Sequence, residues 1–245
     1  LVTQMLVLPV ICLFIADFFN LEPALAVGLM LLAAAPGGPS ANLYSHIAKG
    51  DVALNVTLTA LNSLFSVFSI AVIVNLSMAH FLQQNTYVPL QFSKVLEVCY
   101  VVILPVGLGM IIRNRAPQFT QKLEKPVKII SAIFLALIII LAGLRERDHL
   151  LADLKTVGLA ALTFNISCLL VGYYIPLFFK LSTKQAIAIG MEIGIHNGTL
   201  AIYIALNVIG NGTMTIPAVV YSIMMFLTAA VFAWLVNVRR HPISS

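Results

Sequence analysis

The sequence predicts an all-α polytopic membrane protein, on three observations: its composition, the length of its uncharged runs, and the alternation of charge between them. Of 245 residues, 60% are apolar and 9% charged, whereas a soluble domain carries about 25% charged residues. Mean hydropathy is +1.01. This composition excludes a disordered chain, a secreted disulfide scaffold, a nucleic-acid binder and a cytosolic enzyme. Stretches without Asp, Glu, Lys or Arg cover Pro23–Ala48, Val52–Ser93 and Thr156–Phe179, and Gln185–Val238 is broken only by Glu192.

A membrane helix needs roughly 20 mostly apolar residues. Cutting the chain at charges, Pro/Gly and Asn predicts eight spans, near 2–19, 23–49, 52–78, 88–112, 127–144, 152–179, 184–206 and 216–238. The loops between them differ in charge. One side holds Lys49, Arg113, Arg115, Lys122, Lys125, Lys128, Lys180, Lys184, Arg239 and Arg240, which is ten of the 14 basic residues. The other side holds Lys94, Arg145, Arg147 and Lys155. The positive-inside rule makes the richer side cytoplasmic, so both ends of the chain, the C-terminus included, are expected to face the cytoplasm. Span count and charge bias are independent, and they agree. Cys12, Cys99 and Cys168 sit singly in apolar surroundings and read as small buried hydrophobes.

Two spans are interrupted. In the second, Pro36 and Pro39 remove amide donors, and Gly37 and Gly38 give little helical stability, so an unbroken helix is not expected. In the seventh, Glu192, His196 and Asn197 fall between Gly190 and Gly198, placing a carboxyl, an imidazole and an amide at mid-membrane depth. Opened backbone there is tolerated only where it lines a protein cavity or meets a ligand. The interrupted spans are five apart in order. A five-helix repeat, inverted because five is odd, puts the breaks in equivalent positions, which is the pattern of a secondary transporter's midplane site. On that arithmetic, residues 1–87 are the last three helices of a first repeat, with its broken helix at 23–49. Residues 88–245 are a complete second repeat, broken at 184–206. Two further helices, roughly 60–80 residues with their loops, are then expected before Leu1.

Glu192 is the acidic residue that lies deep in a span. A carboxylate there is costly and implies a partner. No Lys or Arg is expected at its depth, so the partner sought is a cation from outside the chain. Asn55, Thr59, Asn62 and Ser66 recur at i, i+4, i+7 and i+11, one face of a helix. Such a face serves to glue helices together or to line a site. The turn at Lys49–Asp51 folds it back beside Asn42. Carboxylate, amide, hydroxyl and freed carbonyl oxygens suit hard cations. Walker A, H-E-x-x-H and nucleophile-elbow motifs do not occur, so the chain is read as no enzyme.

Pro36-Gly37-Gly38-Pro39-Ser40-Ala41-Asn42, then Ala48-Lys49-Gly50-Asp51-Val52-Ala53-Leu54, then Glu192-Ile193-Gly194-Ile195-His196-Asn197-Gly198, together with Gln4 and Leu8-Pro9, resemble the bile acid:sodium symporter family in its bacterial type. The resemblance runs over essentially the whole chain. It implies ten spans, of which eight are present, arranged as a panel domain and a core domain in which two broken helices cross. It implies two sodium sites. Asn42, Asn55, Thr59 and Glu192 form the first, with Ala41 beside them. Gln4, Glu192, the carbonyls of Ile193 and Ile195, and the side chain of His196 form the second. Asn197 and the backbone at Pro39 and Ser40 face the organic anion.

Three positions depart from the family pattern. Ala41 and Asn55 stand where Ser is usual, and His196 replaces a Gln. Neutral imidazole is a poor sodium ligand and imidazolium would repel the ion, so a proton taking part through His196 is a second possibility. The function expected is sodium-coupled import of a small organic anion by alternating access, in the inner or plasma membrane. Its partners are the anion, sodium ions and the lipid bilayer, with no organic cofactor and no nucleic acid. The alternatives are a proton-coupled or facilitative carrier using His196, and a channel, from which counterflow would separate it.

Overall fold

A computed structural model describes residues 1–83, 104, 107–109, 111–123, 126, 127, 129, 130, 133, 137 and 147–238. Among these residues the regular structure is helical. The predicted spans near 88–112 and 127–144 fall mostly outside the described residues, as do Cys99 and the chain end after Val238.

A single π-turn, Thr3–Val7, runs into α1, Leu8–Phe18. Asn20, in the left-handed region at φ 47°, ends that helix. Pro23 then opens α2, Pro23–Ala34, at a position where a missing amide hydrogen costs nothing. Residues Leu25 to Ala34 are all buried, as expected of a helix apolar on every side. α2 stops because Pro36 forces Ala35 out of helical geometry into extended backbone, φ −69° and ψ 146°. α3, Ser40–Ile47, resumes the span and ends at Lys49, φ 58°. Asp51 caps α4, Val52–Leu82, by accepting from the Leu54 amide at 3.0 Å.

α4 runs past the predicted end at 78, and its halves Val52–Ser66 and Phe68–Leu82 meet at 57°. The bend has a local cause. The hydroxyls of Ser63 and Ser66 donate to the carbonyls of Thr59 and Ser63, at 2.7 and 2.8 Å, just before it. Such back-bonding competes with the helical ladder and bends helices.

The second described block follows the same order. α5, Arg147–Phe178, ends at Lys180, φ 60°. α6, Thr183–Gly194, is capped by a reciprocal Ser182–Gln185 box. Ile195 leaves helical geometry, α7, Gly198–Ile204, resumes behind an Asn197 cap, and a π-turn, Ala205–Ile209, closes at Gly210. α8 is Ile216–Val238. The first half of each broken span has 12 residues, about 18 Å of helix, too short to cross a bilayer alone. Leu154–Phe178 and Thr213–Val238 are each long and apolar enough to cross, and the bent α4 joins them if its halves form one span. The chain is an integral membrane protein.

The two blocks interlock. α2 packs on α1 and α4, α6 on α5 and α4, and α8 on α5, α2 and α7. Small residues allow the closest approach: a β-carbon on Gly172 would sit 2.7 Å from the α-carbon of Gly190. Glycine contacts of this kind hold helices together where lipid gives no hydrophobic drive for association.

Candidate functional site

The two breaks meet. Gly37 and His196 pair as an isolated antiparallel bridge, with the Gly38 amide donating to Ile195 O at 2.7 Å and the Asn197 amide to Pro36 O at 2.9 Å. Each break thus supplies main-chain partners for the other, which is how opened backbone stays satisfied away from water. The second break contains no proline, and its freed carbonyl is met by side chains instead. Gly194 O accepts from Asn165 Nδ2 and from the Tyr221 hydroxyl, each at 2.9 Å. Thr228 in turn donates to Asn165 Oδ1.

Glu192 lies at this crossing, fully buried. Thr59 Oγ1 donates to its Oε2 at 2.6 Å and Asn62 Nδ2 to its Oε1 at 3.0 Å. The Gly37 amide also donates to this carboxyl group. None of these donors carries a charge. Gly37 must be glycine for room: a β-carbon there would stand 2.6 Å from Oε2 and nearer still to Oε1. The polar face of α4 is directed at the crossing, with Asn55, Thr59, Asn62 and Ser66 all buried. Asn55 Nδ2 donates to Ala188 O at 3.0 Å and Ala41 O at 3.4 Å, tying α4 to α6 and α3.

Three amide oxygens buried in this region have no hydrogen-bond partner: Gln4 Oε1, Asn42 Oδ1 and Asn62 Oδ1. A buried acceptor without a donor is costly, and an acceptor can only be satisfied by a donor or a cation. Carboxylate, hydroxyl and amide oxygens without a soft ligand among them fit a hard monovalent cation such as sodium.

Gln4 reaches the first break, where its Nε2 donates to Ala35 O at 2.9 Å. His196 lies beside it and is just as buried. His196 Nδ1 lies 3.2 Å from Ala35 O, to which it donates in the tautomer that carries its hydrogen there, and 3.5 Å from Gln4 Nε2. Nε2 then faces Cys168 Sγ at 3.7 Å, close enough to accept from the thiol. Phe164 stacks on the imidazole with centroids 5.6 Å apart, and Tyr221 meets it edge-on at 5.4 Å. Cys168 is free and buried, as read from sequence, and lies against the imidazole. Ile193 is buried, and Ile195 O already accepts from Gly38.

On the more open side, Pro39 is exposed, and Ser40 and Asn197 are half-buried. Asn197 caps α7, its Oδ1 accepting from the Leu200 amide at 3.1 Å. Of the residues expected from sequence, the structure joins Thr59 to Glu192, Asn55 to Ala41, and Gln4 to His196. Asn42 stands within α3 with its oxygen unpartnered. Sequence reasoning placed Asn62 on the polar face without assigning it to the site, and it treated Gly37 only as a helix breaker. Asn165, Tyr221 and Thr228 gave no local signal.

The sequence profile of the sodium bile acid symporter family matches residues 1–153. The chain belongs to that family. Among its relatives, the P3 protein of Homo sapiens is 31% identical over 215 residues, covering 82% of this chain and 42% of that protein. A probable chloroplastic sodium/metabolite cotransporter of Arabidopsis thaliana is 29% identical over 234 residues, 94% of this chain and 56% of its own length. The sodium-dependent organic anion transporter of Homo sapiens is 21% identical over 198 residues, 80% and 52% respectively. The chain spans about half the length of these relatives. Glu192 and His196 lie beyond the residues that this profile matches.

Proposed function

We propose that this symporter-family chain forms the ion- and anion-binding part of a sodium-coupled carrier that imports a small organic anion by alternating access. One observation carries the reading. A buried carboxylate stands where two broken helices cross, held by neutral donors and accompanied by amide oxygens that lack hydrogens. Sodium would be held by Asn42, Asn55, Thr59 and Glu192 on one side, beside Ala41, and by Glu192, Gln4 and the Ile193 and Ile195 carbonyls on the other. The matching order of elements in the two described blocks supports an inverted repeat, with 1–87 and 88–245 as its parts.

The coupling is electrostatic. Without a cation, Glu192 repels an approaching anion across a cavity of low dielectric, where charges interact strongly. A bound sodium ion cancels that repulsion, and the anion then meets the Asn197 amide and the first turn of α3 at Pro39 and Ser40. A bile-acid-like or other small carboxylate fits this chemistry, in keeping with the names of the relatives. The test is uptake of labelled bile acids and small carboxylates by proteoliposomes, with sodium or with choline outside. Sodium-stimulated, saturable uptake that shows counterflow is expected. Uptake of every anion at equal rates in choline would refute the coupling.

A further inference from the structure

Asn62 is the residue at the crossing with an unexplained half. Its Nδ2 is used, donating to Glu192 Oε1 at 3.0 Å. Its Oδ1 is not, although the side chain is only 2% exposed. The opposite orientation of the amide would turn an acceptor toward the carboxylate oxygen, so the hydrogen bond itself fixes which end is left over. Gln4 repeats the arrangement from the other wall. Its Nε2 is committed to Ala35 O, and its buried Oε1 has no donor. The π-turn bearing Gln4 packs on both α2 and α4. Ala35 and Gly37 belong to one break, so both orphan oxygens flank the stretch that also meets Glu192.

His196 contributes nothing to this pair of oxygens. One nitrogen meets Ala35 O and Gln4 Nε2, the other faces the Cys168 thiol, and Phe164 and Tyr221 pack on the ring. Both ring nitrogens are thus engaged within the protein. We propose that Asn62 is a cation ligand: its Oδ1, with Glu192 Oε1 and Gln4 Oε1, forms the oxygen cage of one sodium ion, without His196. This rests on the sodium-coupled reading above. The same residue then binds the ion through oxygen and orients the carboxylate through nitrogen.

The experiment is direct binding of radioactive sodium to the purified full-length protein in detergent, with thermal melting to check each fold. Asn62→Leu should weaken sodium binding about tenfold or more, or remove one of the bound ions. Asn62→Asp keeps an oxygen and loses the donor, and should bind within about threefold of wild type. Gln4→Leu should affect the same ion, so the double variant should be little worse than either single one. Asn62→Leu binding as wild type does would overturn the assignment, and so would Asn62→Asp binding as weakly as Asn62→Leu. The second result would leave Asn62 as a hydrogen-bond donor only. If Asn62→Leu does not fold, Asn62→Asp decides alone by the same threefold and tenfold limits. Absence of sodium binding in the wild-type protein would instead overturn the sodium-coupled reading.

Discussion

Replacing Gly37 by alanine adds one methyl group at the most crowded point of the crossing. The backbone there tolerates the change, because Gly37 is not among the residues with positive φ. Sterics do not tolerate it: the new carbon would stand 2.6 Å from Glu192 Oε2, where ordinary contact begins at 3.4 Å. The carboxyl group must therefore retreat by at least about 0.8 Å, the difference between those two distances. A shift of that size disturbs the Asn62 and Thr59 bonds, now 3.0 and 2.6 Å. A hydrogen bond to a charged group contributes about 1.5–3 kcal/mol. Loss of one such bond at the proposed ion ligand corresponds to a roughly 10- to 100-fold weaker sodium affinity, at about 1.4 kcal/mol per factor of ten.

The assay is radioactive sodium binding, paired with the sodium concentration for half-maximal uptake in proteoliposomes. Gly212→Ala is the control, since nothing lies within 4 Å of a β-carbon built there. Gly37→Ala should raise the half-maximal sodium concentration by one to two orders of magnitude while Gly212→Ala leaves it unchanged. Wild-type sodium affinity in a folded Gly37→Ala protein would refute the placing of the ion against Glu192.

Three further outcomes follow from the same geometry. Glu192→Gln should fold and insert normally yet lose sodium stimulation, so that uptake in sodium equals uptake in choline. Tyr221→Phe removes one of the two donors to Gly194 O and should lower stability by about 0.5–1.5 kcal/mol, read as a fall in melting temperature in detergent. Asp51→Ala removes the cap of α4 and should cost about 0.5–2 kcal/mol in the same measurement, with sodium affinity unchanged.

The sequence discloses features of the site that are local. Pro36 ends α2 by restricting Ala35, an effect between adjacent residues, and the i, i+4, i+7, i+11 pattern of α4 places its polar face without knowledge of any neighbour. Glu192 is legible for a similar reason, because a carboxyl in the middle of a long uncharged run has few structural uses. The setting of His196 is not local. Its ring is held by Ala35, Phe164, Cys168 and Tyr221, from three other segments as many as 161 positions away. No periodicity encodes that meeting. The bend in α4 escaped notice because serine back-bonding depends on side-chain rotamers rather than on composition.

On the proposed reading, the donors around Glu192 also explain why a carboxylate at this depth would serve coupling and not just architecture. A lysine or arginine at the crossing would hold the carboxylate equally well, but its charge would be fixed and no mobile cation would be needed. Thr59, Asn62 and Gly37 orient the group and satisfy its lone pairs while supplying no countercharge of their own. On that reading the compensating charge comes and goes with the transport cycle. Burial makes its absence costly, since the attraction between unit charges rises steeply as the local dielectric falls. On the proposed reading, binding of the cation before the anion follows from which donors were left uncharged.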